Sequence, residues 1–116
     1  MENIFGHEQL NAYKQAIQFE AWVTLVIKDR PDLAKAFEEL RWVSSLISLK
    51  IAEGNAKLSS NDRFALFDVA IDSAVESAVL LDILEAEGEL STEQNLKGKS
   101  ILKGIVEEIS KLRNNG

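Results

Sequence analysis

Leu40-Arg41-Trp42-Val43-Ser44-Ser45-Leu46-Ile47-Ser48-Leu49-Lys50-Ile51-Ala52-Glu53-Gly54 decides the fold, together with the apolar run that continues past the polar turn 55–61 to Leu84. At about 100° per residue, Leu33, Ala36, Leu40, Val43, Ser44, Ile47, Ile51 and Gly54 fall in one stripe. Trp42, Leu46 and Leu49 form a second stripe on nearly the opposite side. The following run behaves alike. Phe64, Phe67, Ile71, Ala74, Val75 and Ala78 make one face; Leu66, Val69, Ala70, Ser73, Ser77, Leu80 and Leu84 make the other. A helix that is apolar on two sides must be covered on two sides. The small residues Ala70, Ser73, Ala74, Ser77 and Ala78 would let neighbouring helices come close.

Outward from this pair, the N-terminal segment predicts a helix over 7–29. Leu10, Tyr13, Ile17 and Ala21 lie on one side of it and Ala16, Phe19, Val23, Val26 and Ile27 on another, so wide cover is expected. Pro31 suits a first helical position and opens a second helix over 32–55. Gly54 or Asn55 would give that helix a left-handed exit. Ser59, Ser60 or Asn61 caps a third helix that runs to Glu87, where Gly88 stops it. Ser91-Thr92-Glu93-Gln94 is a capping box for a fourth helix to Arg113, with one apolar stripe through Gly98, Ile101, Leu102, Ile105, Ile109 and Leu112. Short connections predict one all-α domain over 1–116, an antiparallel up-down-up-down four-helix bundle.

Composition narrows the function. A chain of 116 residues can bury a core unaided. With no cysteine, disulfides and thiolate metal sites are excluded. No apolar run reaches spanning length and no leader pattern is seen, so a cytoplasmic protein with no membrane role is expected. Thirteen basic against nineteen acidic residues leave a net charge of −6, which argues against a protein coated in nucleic acid. His7, the single histidine, stands near a helix start without a positioned partner and reads as a solvated terminal residue. Glu85, Glu87 and Glu89 read as a solvated charged turn. No catalytic residue, cofactor or metal site is expected, and the chain is not expected to be an enzyme.

Ile51-Ala52-Glu53-Gly54, then Ser73 and Glu76 within Asp72-Ser73-Ala74-Val75-Glu76, resemble the four-helix bundle family of 23S rRNA intervening-sequence proteins. That family typically shows an Arg-rich segment, then N-I-A-E-G, then G-S-x-x-E. Arg41 matches the first arginine, while Trp42, Ser48, Lys50 and Asp72 depart from the pattern. The resemblance implies a small homo-oligomer, a pentamer among the possibilities. It also implies RNA or a nucleic-acid enzyme as partner, as in accessory proteins of diversity-generating retroelements. It brings no catalytic residues.

Three groups of site residues follow. Trp42, Leu46, Leu49, Leu80 and Leu84 are expected at an oligomer interface, because they exceed what one four-helix core needs. Arg41, Lys50, Lys57 and Arg63 are the candidate nucleic-acid contacts, weighed against ordinary solvated cations balanced by nearby carboxylates. Glu53, Gly54, Ser73 and Glu76 form the structural motif. If the second and third helices oppose each other about the turn, facing residues have numbers adding to about 116 or 117. That register predicts two ion-pair clamps, Arg41 with Glu76 and Arg63 with Glu53. Two functional readings remain, a ribonucleoprotein accessory module and an oligomeric interaction scaffold without nucleic acid.

Overall fold

The structure, a computed structural model, describes residues 5–30 and 34–115. Among them are a 3-10 turn, Gly6–Gln9, and four α-helices: α1 (Asn11–Ile27), α2 (Lys35–Ala56), α3 (Ser60–Ala86) and α4 (Thr92–Asn115). No strand occurs among the described residues. The helices pack in ring order, α1 on α2, α2 on α3, α3 on α4 and α4 back on α1. Phe19, Phe37 and Phe67 are fully buried with Leu40, Ile47, Ile51, Leu81, Leu84, Ile105 and Ile109, so all four helices share one core. Each such side chain contributes about 1.5–3 kcal/mol by leaving water.

Helix ends follow local chemistry. The Ser59 hydroxyl accepts from the Asp62 amide at 3.1 Å and starts α3. Ser91 accepts from the Gln94 amide at 3.0 Å while Gln94 Oε1 accepts from the Ser91 amide at 2.9 Å, so the capping box at α4 is complete. Gly88 takes φ +78° after α3, which a side chain would resist. Asp29 takes φ 65° after α1, and Asp tolerates that region better than most residues.

Four expectations change. The first helix does not run unbroken from His7, because Leu10 adopts extended backbone between the 3-10 turn and α1. His7 is held there by rings, stacked on Phe5 at 5.8 Å and edge-on to Tyr13 at 4.6 Å, so it is not simply solvated. Helix α1 is also covered on one side only, with Ala12, Ala16, Phe19, Val23 and Ile27 inward and Ile17 and Leu25 exposed. Pro31, Asp32 and Leu33, expected to open the second helix, lie outside the described residues.

Gly54 is the fourth change. It is not a left-handed exit, since α2 continues through it to Ala56. A Cβ at Gly54 would stand 2.7 Å from Phe67 Cε1 and 3.3 Å from the Arg63 carbonyl oxygen. The glycine is therefore a notch in α2 that admits the Phe67 ring of α3. Substituting Gly54→Ala adds helix propensity of about 0.5–1 kcal/mol, but overpacks a site where repair costs about 1–3 kcal/mol. We expect a net loss of about 1 kcal/mol in urea unfolding. Gly54→Ala with Phe67→Leu should lose less than the sum of the two single changes. A Gly54→Ala chain as stable as wild type would show that the notch is not needed.

Candidate functional site

Helix α3 is apolar around most of its circumference, and its neighbours cover only part of it. Ala70, Ser73, Ala74, Ser77, Leu80, Leu81 and Leu84 face inward. Val75, Val79 and Ile83 face out, with Val75 54% and Val79 52% exposed. This corrects the expected interface on α3. Leu80 and Leu84 are 8% and 0% exposed and belong to the core, and the outward apolar ridge is Val75-Val79-Ile83. The buried face draws on both stripes read from the sequence, Phe67 and Ala74 from one and Ala70, Ser73, Ser77, Leu80 and Leu84 from the other, while Val79 and Ile83 belong to neither.

Two grooves flank that ridge. Between α3 and α4 lies a groove of about 490 Å³ floored by Ala74, Val75, Ala78, Leu102 and Val106, with Lys99, Lys103 and Glu107 at its margin. Between α2 and α3 lies one of about 310 Å³ lined by Val43, Val75, Val79 and Leu80, with Glu39 and Glu76 at its margin. On α2, Trp42 and Leu49 are exposed, 67% and 51%, and Leu46 is half-buried. These three are the α2 residues of the expected interface.

The candidate cations do not gather. Arg41 opens onto a groove between α1 and α2 with Glu20, Thr24, Ser44 and Ser45. Lys50 pairs with Glu53 at 3.3 Å. The Arg63 guanidinium lies 5.9 Å from the centre of the Phe67 ring, and its Nε is buried with no hydrogen-bond partner. Lys57 is exposed at the C-terminal end of α2. Neither clamp forms. Arg41 and Glu76 open onto different grooves, and Glu53 pairs with Lys50 rather than Arg63. The predicted register agrees with the meeting of Gly54 and Arg63, whereas Arg41 leaves α2 toward α1. Of the motif residues, Gly54 and Ser73 are buried packing positions, while Glu53 and Glu76 are exposed.

Sequence reasoning missed two polar clusters. Arg30 donates to Glu89 Oε2 at 2.8 Å and to the Glu89 carbonyl at 2.7 Å, while its guanidinium covers the Phe37 ring. The Asn95 amide nitrogen donates to Asp82 at 2.9 Å and Glu85 at 2.8 Å, and Thr92 also donates to Glu85. Asn95 and then Lys99 hold the Asp82 carboxyl below its ordinary range. Glu85 and Glu89 are thus anchored groups rather than a free charged turn. Their partners lie on other segments, so spacing within the turn carried no signal. Among the described residues no cluster of His, Cys, Asp or Glu could hold a metal ion, and no helix is long and apolar enough to cross a membrane.

No family model matches the sequence, and no curated protein matches it. Among solved structures, the chain is similar to a protein of unknown function from the S23 ribosomal protein family of Bacteroides thetaiotaomicron. The TM-score is 0.80 at 13% identity, over 89% of this chain and 95% of that one. The resemblance is one of fold.

Glu20 gives a pH-dependent test of the α1/α2 groove. Burial pushes its carboxyl above the ordinary 4.5, and a hydrogen bond from Ser48 at 3.3 Å partly offsets this. A folded-state pKa above the unfolded one means that the folded chain favours the neutral acid. The associated stability is present below the unfolded value and lost as pH rises through the folded one. Glu20→Gln, which keeps an acceptor for Ser48, should therefore be more stable than wild type at pH 7. The two chains should converge below pH 4.5 in denaturation measured across pH.

Proposed function

We propose that this chain is a non-enzymatic, antiparallel up-down-up-down four-helix bundle that acts as an oligomeric interaction scaffold. The observation that carries this reading is the Val75-Val79-Ile83 ridge between two apolar grooves, with Trp42 and Leu49 also exposed on α2. Soluble monomers rarely leave contiguous apolar surface of this kind uncovered. The scattering of Arg41, Lys50, Lys57 and Arg63 over separate surroundings supports it too, because phosphate contacts need clustered cations.

A second reading, an accessory module for RNA or a nucleic-acid enzyme, is supported by the S23 ribosomal family of the fold neighbour and by the open Arg41. Two measurements separate them. Light scattering at micromolar concentration should give a mass above that of one chain, and Val79→Glu or Trp42→Glu should lower it without loss of helicity. Labelled RNA should not shift at low salt. An RNA shift that weakens steeply with salt and is lost in Arg41→Gln would favour the second reading; a monomeric wild type would end the first.

A further inference from the structure

The groove between α1 and α2 is bounded by two opposite charges that do not pair, Arg41 and Glu20. Glu20 bonds to Ser48, and Arg30, just past α1, covers the Phe37 ring, so rising numbers on α1 face falling numbers on α2. On that register Glu20 is level with Ser48, and Arg41 is level with the last turn of α1. The two charged residues are thus about two helical turns apart, roughly 10 Å along the axes. A side chain leaves a helix tilted toward that helix's own N-terminus. Because the helices run oppositely, Arg41 and Glu20 lean away from each other and the space between them stays open. Among the described residues the Arg41 guanidinium has no ion-pair partner.

The groove has a volume of about 230 Å³, and Val23, Thr24, Ser44 and Ser45 line it between the two charges. Thr24 donates to the Glu20 carbonyl, Ser44 to the Arg41 carbonyl and Ser45 to the Trp42 carbonyl. With their protons committed, these hydroxyls can offer a ligand only acceptor lone pairs. Val23 supplies an apolar wall against which methylene groups can lie. Burial pushes the Glu20 carboxyl up, the Ser48 hydroxyl offsets this in part, and no cation contributes. An anion alone would meet Glu20 as a like charge, and a cation alone would meet Arg41.

We propose that this groove binds a small zwitterion of the ω-amino-acid class, its carboxylate on Arg41, its ammonium against Glu20 and its alkyl chain along Val23. The guanidinium fork matches a carboxylate through two parallel hydrogen bonds. The three donors of an ammonium match the Glu20 carboxylate and the hydroxyl lone pairs beside it. Charges held apart by several methylenes suit the two-turn separation, which an α-amino acid cannot span. The groove is smaller than the about 300–1,000 Å³ of pockets that take drug-sized ligands, so a short chain is the right size. The site lies within one copy and does not depend on self-association.

Titration calorimetry and thermal unfolding with ε-aminocaproate as the probe test this at pH 7. The probe should bind and raise the melting midpoint with concentration, as a ligand of the folded state must. Caproate and hexylamine each carry one of its two charges, and glycine holds both charges side by side. All three should bind about tenfold more weakly or worse, since each forgoes a hydrogen-bonded charge contact. Arg41→Gln and Glu20→Gln should each weaken ε-aminocaproate binding by about tenfold or more, with helicity unchanged by circular dichroism. Lys50→Gln, which alters a pair outside the groove, should bind as wild type does. No binding of ε-aminocaproate overturns the proposal. So does equal binding of caproate, hexylamine or glycine, and so does affinity that survives either groove substitution or falls equally in Lys50→Gln.

Discussion

The contact between Gly54 and Phe67 governs how far α2 and α3 can approach, and much else depends on that distance. An aromatic ring occupies the place where any other residue would have a Cβ. Further along α3, Ala70, Ser73, Ala74 and Ser77 keep the inner surface shallow. With those positions turned inward, the bulky residues on the opposite arc have nowhere to go but out. Val75, Val79 and Ile83 are exposed as a consequence of close packing elsewhere on the same helix. The core face and the exposed apolar ridge are therefore two results of one rotation of α3 about its axis.

Much of the fold was legible because its signals are local. Ser59 and the Ser91–Gln94 capping box fix helix starts through hydrogen bonds three residues long, and Gly88 ends α3 by a backbone preference. What could not be read depends on neighbours. The core face of α3 takes residues from both of its apolar stripes, and only the packing of its neighbours decides that Leu80 is buried while the adjacent Val79 is exposed. Gly54 carries the same letter whether it caps a helix or notches it. Arg41 illustrates a further difficulty. The register between α2 and α3 was nearly right, yet a side chain leaving α2 toward α1 meets Glu20 and the serines rather than Glu76. Nothing in the sequence marks Leu10 as a break, because neither glycine nor proline is there.

The polar clusters occupy places where they do not compete with the apolar ridge. Arg30 and Glu89 join the connection after α1 to the connection after α3, and Asn95 ties the first turn of α4 to the last turns of α3. The Arg30–Glu89 bonds join segments 59 residues apart, and with the Asn95 bonds they hold the connections against the helices. Charged groups there are satisfied within the chain. Around the middle of α3, by contrast, Lys103 and Glu76 belong to no ion pair among the described residues.

The buried serines have a different consequence. Ser44 donates to the Arg41 carbonyl, Ser77 to the Ser73 carbonyl, and Ser48 divides its bond between the Ser45 carbonyl and Glu20. These hydroxyls largely turn back on their own helices. They fill small volumes without dictating which side chain must face them. Such a core constrains the size of its residues more tightly than their identity. Sequences could then drift a long way while the helices keep their places, provided that ring and notch change together. A backbone shared at 13% identity with another bundle is what that kind of permissive interior allows.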